Sequence, residues 1–177
     1  MTIPVTLEAA KRHLKIELDD VSQDEEINGF IADAAAWIEQ FTGHVLVARD
    51  VTKSFSSFDR VMFREWPIAA DAVPVVTYDG AGGQAVPVTE VRMLLSRRPA
   101  RVAPWVGGRW PALPLGSGVT ATVRAGYEEG DEVPGEFRRA MLTLIAAYDA
   151  DREGGDILRK AEDAAKDACS NFRIRAL

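Results

Sequence analysis

Residues 119–153 read VTATVRAGYEEGDEVPGEFRRAMLTLIAAYDADRE, a stretch that joins an alternating strand to an amphipathic helix through one proline-marked turn. Val119, Ala121, Val123 and Ala125 alternate with Thr120, Thr122 and Arg124, the period of a strand with one face buried, ending at Gly126 and Tyr127. Pro134 then opens a helix, because a fixed φ and a missing N–H cost nothing at a helix start. Phe137, Met141, Leu144, Ile145 and Tyr148 fall at helical spacing on one face, and Glu136 sits in the first turn, where the helix dipole favours an anion.

Toward the N-terminus, Thr6 is placed to cap a short helix running through Leu7, Ala10, His13 or Leu14 to about Ile16. Ser22 and Glu25 have capping-box spacing for a second helix. Its stripe of Ile27, Phe30, Ile31, Ala34, Ile38 and Phe41 stops at Gly43, the expected C-cap. From Val45 to about Val91 the texture becomes strand-like (VLVARDVTKSF, VMF, AVPVVTYD, AVPVTEV), and Asp79-Gly80 marks a hairpin. Ser96 to Gly118 is rich in Pro and Gly and reads as a long, partly ordered loop. A final alanine-rich helix over about 156–172 carries Asp156 with Lys160 and Glu162 with Lys166 at i,i+4. The expected class is α+β, a small helical bundle body of about four helices with a strand-rich, loop-rich middle. Residues 1–44 and 134–171 form the body, 45–127 the strand and loop region, and 172–177 a C-terminal tail of a single domain spanning 1–177.

At 177 residues and 47% hydrophobic, the chain can bury a core without staples. One cysteine, Cys169, precludes an internal disulfide and suits a reducing compartment. No apolar run approaches the ~20 residues of a bilayer span, and the N-terminus lacks the pattern of a signal peptide. No membrane role is expected, and the protein should stay in the cytosol where it is made. A net charge of -6 and a pI near 5.0 argue against a protein whose main work is gripping nucleic acid.

Charge is unevenly spread. Between Val91 and Tyr127 there is no acidic residue, while Arg92, Arg97, Arg98, Arg101, Arg109 and Arg124 all lie there. Glu8, Glu17, Asp19, Asp20, Asp24, Glu25, Glu26, Asp33 and Glu39 face only Lys11, Arg12 and Lys15. One acidic and one basic flank suit head-to-tail association, in which dissimilar surfaces meet and can close a ring. The alternative is that the charges solvate two faces.

No catalytic, cofactor or metal site is expected. Gly80, Gly82 and Ala85 satisfy a dinucleotide-loop spacing, but Val86, Pro87 and Val88 call for a strand where the phosphates would need a helix N-terminus. The acidic loop lacks the alternating ligands and central glycine of a calcium site. His13 and His44 have no neighbours at zinc spacing, and His13 reads as partly buried. Cys169, with Asp167 nearby, reads as a structural small residue, since a carboxylate disfavours the thiolate. Ser117 lacks the frame of a nucleophile elbow. Arg97, Arg98, Arg101, Trp105, Arg109 and Trp110 form a candidate partner-facing loop, because aromatic and arginine side chains anchor protein contacts. Capping of the domain's own core is the competing reading, and Trp37 and Trp66 are expected to do that. In the tail NFRIRAL, Phe172, Ile174 and Leu177 alternate with Arg173 and Arg175, a pattern able to add as a strand or dock in a groove; fraying is the alternative.

The strand, the AGY, the VP and the helix closing in YDADRE resemble the C-terminal part of head-tail connector (adaptor) proteins of long-tailed bacteriophages and phage-derived gene-transfer particles. VTLEAAKRHLKIELDDVSQDEEINGFIADAAAWIEQFTG resembles the opening of the same family, and WPIAADAVPVVTYD with the later RWPA matches it loosely. The resemblance implies a structural virion protein, not an enzyme. Copies would form a ring, commonly of twelve, beneath the portal protein, extending the channel for double-stranded DNA and docking the next head-completion (stopper) or tail protein. It would reside at the head-tail interface of the virion, and in the host cytoplasm during assembly. On that basis Phe172, Arg173, Ile174, Arg175 and Leu177 are candidates to reach the portal, and Asp19, Asp20, Asp24 and Glu25 to face the channel or an interface. A small nucleic-acid-processing or DNA-binding domain using the arginine-rich middle is the alternative from another class. A neighbouring head-completion or tail-terminator ring protein is the third reading.

Overall fold

The computed structural model describes residues 3–129, 132–151 and 153–174. Among the described residues, four α-helices and seven strands in two sheets make a mixed α+β fold: α1 (Leu7–Leu14), α2 (Asp24–Thr42), β1 (Arg49–Phe55), β2 (Met62–Phe63), β3 (Val75–Asp79), β4 (Ala85–Val88), β5 (Val91–Leu94), β6 (Ala100–Pro104), β7 (Val119–Ala125), α3 (Gly135–Ala150) and α4 (Asp156–Cys169). Residues 1–47 with 127–177 make one compact unit, which is helical, and 48–126 make the other, which holds every strand.

In the helical unit the apolar stripes do the assembling. Ile27, Ile31, Ala34 and Ile38 of α2 and Phe137, Met141, Leu144 and Ile145 of α3 are buried in one core with Ala161, Ala165 and Cys169 of α4. Each end has a local cause. Thr6 caps α1, its Oγ1 accepting from Ala9 N at 3.2 Å. Helix α1 stops at Leu14, two residues earlier than the spacing predicts, because Lys15 takes a left-handed φ of 60°. Gly43 ends α2 at φ 72°, a conformation that costs glycine little. The predicted capping box does not form. Asp20 Oδ1 accepts from both Ser22 N (3.0 Å) and Ser22 Oγ (2.6 Å), so the serine is consumed in a local turn and α2 starts at Asp24 without a side-chain cap. On α4, i,i+3 pairs are present: Arg159 with Asp156 (3.3 Å) and Lys166 with Asp163 (2.9 Å).

Helix α4 is capped from five residues before its first residue. Asp151 Oδ2 accepts from Ile157 N and Leu158 N, each at 3.2 Å. A Cβ on Gly155 would lie 3.0 Å from that oxygen, so glycine clears the approach. The bonds from Gly155 and Leu158 hold the Asp151 carboxyl below its ordinary pKa. A depressed folded-state pKa adds stability that is present above the ordinary carboxylate range and is lost as pH falls through the folded value. Asp151→Asn is therefore expected to melt lower than wild type at neutral pH, with the gap closing below about pH 4. A gap in thermal melts that stays constant with pH would exclude this origin.

In the strand unit one antiparallel sheet has the order β1-β7-β3-β4 and the other β2-β6-β5. Val119, Ala121, Val123 and Ala125 of β7 are all buried, as their alternation predicts. The β3–β4 hairpin closes through Gly80 N to Gln84 O and Gly83 N to Gly80 O, both 2.8 Å. A strand, β4, follows the glycines, as expected, and leaves no helix N-terminus to receive a phosphate. The long loop predicted over 96–118 is interrupted by β6, whose five residues pair with β2 and β5. Pro99 and Pro104 had disguised a short strand whose inner face is Ala100 and Val102.

Candidate interaction surfaces

Of the candidate acidic residues, Asp19, Asp20 and Glu25 are exposed and Asp24 is not free. Lys11, on α1, is 2% exposed. Its ammonium pairs with the Asp24 carboxylate and donates to the carbonyls of Asp20 (2.8 Å) and Leu18 (3.3 Å). One buried cation thus pins the whole segment between α1 and α2. Its aliphatic stem is buried while the head makes one ion pair and two hydrogen bonds. Sequence reasoning missed Lys11, since it stands among other basic residues and only the returning loop sets it apart. The pinned segment shows Leu18 (46%) and Val21 (71%) to solvent. Ser22 holds the Asp20 carboxyl below its usual pKa, so it is charged wherever the protein is folded near neutrality.

The candidate arginine-tryptophan loop is not continuous, because β6 interrupts it. Arg97, Arg98 and Arg101 lie around the β5–β6 turn, whereas Trp105, Arg109 and Trp110 follow β6. Arg98 Cζ lies 5.5 Å over the Trp66 ring and its Nη2 donates to Arg64 O at 3.4 Å. Trp110 stacks on Phe58 at 4.8 Å and 9°, so it serves its own unit's packing. Trp37, in the same way, stacks on Phe41 at 5.2 Å. Trp105 is 59% exposed at the head of a tight turn closed by Gly108 N to Trp105 O (2.8 Å). Nearby, Tyr78, Pro87, Pro104, Arg109 and Pro111 line a hollow of about 280 Å³ whose walls carry no His, Cys or Ser.

The tail begins inside the helical unit. Phe172 packs edge-on against Phe137 (4.7 Å) and His44 (5.8 Å), and Arg173 Cζ sits 5.1 Å over the Phe41 ring. Ile174 is half-buried, and Arg175 and Leu177 lie outside the described residues. His44 is buried and its Nδ1 is 2.7 Å from the Tyr127 hydroxyl, a pairing across the chain that neither residue's local sequence announces. His13, expected to be partly buried, is exposed. Among the described residues no cluster of His, Cys, Asp and Glu is suited to a metal ion, and no helix is long and apolar enough to cross a membrane.

Cys169 is fully buried. Burial, and then the Glu136 carboxylate of α3, push its thiol up to about 11, so the acidic neighbour that acts on it is Glu136 and not Asp167. The change from 9.0 to about 11 lowers the thiolate fraction about 100-fold. Alkylation of the folded protein at mild alkaline pH is expected to be slower than that of the unfolded chain by at least this factor, followed by mass; equal rates would show the thiol accessible and ionised.

Residues 4–62 match the phage gp6-like head-tail connector protein family. No curated protein matches the chain. Among solved structures, it is similar to a chain in the neck of an empty gene transfer agent (GTA) particle computed with C6 symmetry, with TM-score 0.78 and 18% identity over 100% of this chain and 95% of that one. It is also similar to a chain of the virion of a native gene transfer agent particle (TM-score 0.74, 19% identity, 100% and 95% covered). A third is in the neck of a native GTA particle computed with C12 symmetry (TM-score 0.71, 20% identity, 100% and 94% covered). The resemblance to head-tail connectors read from the sequence is thus borne out, and at these identities the three structures establish the fold. Neither the family matched nor these structures are those of enzymes.

Proposed function

We propose that this chain is a structural neck protein, a head-tail connector whose copies form a ring beneath the portal. One observation carries this reading: the whole chain, helical and strand units alike, shares its fold with neck chains of gene transfer agent particles, and residues 4–62 match a head-tail connector family. The copy number is twelve, in keeping with the C12 symmetry of one similar neck. In this reading the helices act as a small bundle that forms the ring body, and the strand unit projects toward the tail side to dock the next head-completion or tail protein. The segment from Phe172 to Leu177 reaches the portal. Because Phe172 is already packed, the part available for that contact starts at the exposed Arg173. The ring extends the channel for double-stranded DNA. An acidic protein of charge -6 suits it, since carboxylates repel phosphates and let them slide. The protein resides in the virion neck, having assembled in the host cytoplasm.

The arginines give little support to the DNA-processing alternative. They are divided by β6, and Arg98 is engaged with Trp66 and Arg64. Native mass measurement of the purified chain, alone and with portal, tests the proposal. A twelve-copy assembly on the portal is expected even if the free chain is monomeric. Absence of any complex with portal, or hydrolysis of a phosphoester by the pure protein, would end it.

A further inference from the structure

The three-stranded sheet leaves one face open. β2 pairs Met62 with Arg101, and β5 pairs Leu94 with Arg101 and Arg92 with Ala103. Their neighbours along the strands, Phe63, Ala100, Val102 and Val91, are buried. Side chains alternate between sheet faces, so Met62, Arg92, Leu94, Arg101 and Ala103 share the opposite one, and none of the five is buried. Just past β6, Trp105 (59%) and Val106 (73%) are exposed. The strand residues of this face carry two guanidinium groups, apolar surface and no carboxylate.

Arg101 is exposed and Arg92 half-buried, so this face offers guanidinium groups to an incoming acceptor. A carboxylate is the acceptor a guanidinium fork fits best. The same chain carries a surface with the complementary features: the segment pinned by Lys11 exposes Leu18 and Val21 beside Asp19 and Asp20. Being held in shape before contact, it would lose little freedom on docking.

We infer that the open β2-β6-β5 face of one copy receives the Leu18–Val21 segment of a second copy, the carboxylates of Asp19 and Asp20 meeting Arg92 and Arg101, and Leu18 and Val21 lying against Leu94 and Trp105. This rests on the ring reading above and names the joint. The two surfaces are dissimilar, so the contact is heterologous and propagates around a ring instead of ending at a dimer. It also takes Asp19 and Asp20 away from the channel wall.

Reciprocal charge reversal tests it. Variant one carries Arg92→Glu and Arg101→Glu, and variant two carries Asp19→Arg and Asp20→Arg. Each alone should raise the protein concentration needed for ring assembly on the portal at least about tenfold, since like charges would face each other. An equimolar mixture restores assembly, because every joint is then either native or fully reversed. Arg101→Glu alone, at an exposed site, serves if the variant with Arg92 changed does not fold. Assembly of each variant at the wild-type concentration would overturn the joint while leaving the ring reading intact. If those rings formed but lost packaged DNA, the acidic segment would be channel lining. Failure of the folded mixture to assemble would also overturn the joint. Failure of the wild type to assemble on portal would instead overturn the ring reading itself.

Discussion

Phe137→Ala should lower the stability of the protein by about 3–5 kcal/mol, the range for deleting a fully buried aromatic ring. Phe137 is 0% exposed and is the hub of a ring cluster, with Phe172 at 4.7 Å and His44 at 5.0 Å. Those partners come from the turn after α4 and from the segment after α2, so the cavity could not close by one side chain turning inward. His44 would suffer twice, losing an edge-on contact and gaining room in which its bond to the Tyr127 hydroxyl loosens. A domain's whole stability is only ~5–15 kcal/mol, so the variant should stand close to unfolding at growth temperature. Urea titration followed by the helical circular dichroism signal should show the midpoint fall with an unchanged slope. Phe172→Ala, at a half-buried ring, should cost clearly less. Equal costs for the two would mean that the C-terminal segment, and not α3, organises the cluster.

The parts of this fold legible in the sequence are those whose cause is local. The stripe from Ile27 to Phe41 and its stop at Gly43 state the buried face and the C-terminal end of α2, because a helix face and a left-handed cap are set within a few residues. β7 is equally plain, its four buried positions alternating without interruption. What failed were choices between two local options and choices made by distant residues. Ser22 could cap a helix or bond to Asp20, and the sequence pattern does not rank them. β6 is five residues between prolines, stable only because β2 and β5 pair with it. That strand interrupts the arginine-tryptophan segment, so the stretch read as one loop is a turn, a strand and a second turn. Of its aromatics, Trp110 turned inward onto Phe58 and Trp105 stayed outside. Composition alone carries no information on that difference. The acidic candidates show the same limit: Asp19, Asp20 and Asp24 are alike as letters, and Lys11 alone makes Asp24 structural.

Lys11 consequently carries the second large effect. Lys11→Ala is expected to cost about 2–4 kcal/mol, below the ~3–5 for breaking a fully buried pair because the Asp24 side chain is 29% exposed and water can reach it. The change strips a cation from Asp24, a donor from the carbonyls of Leu18 and Asp20, and a packed aliphatic stem from the core. Lys11→Met keeps the stem and should recover part of the loss. A double-mutant cycle with Asp24→Asn isolates the ionic part; a coupling near zero would mean that the two carbonyls, not the carboxylate, hold the lysine. The effect should exceed stability. Val21, already 71% exposed, sits in a segment whose shape depends on this one ammonium, so limited proteolysis should cut between Leu18 and Gln23 in the variant before it cuts elsewhere. If that segment is what a second copy receives, Lys11→Met should assemble on portal poorly even at temperatures where its helices are intact. A folded, uncut Lys11→Met protein would show that the turn at Asp20 and Ser22 holds the segment by itself. Lys11 would then be a core residue with no bearing on assembly.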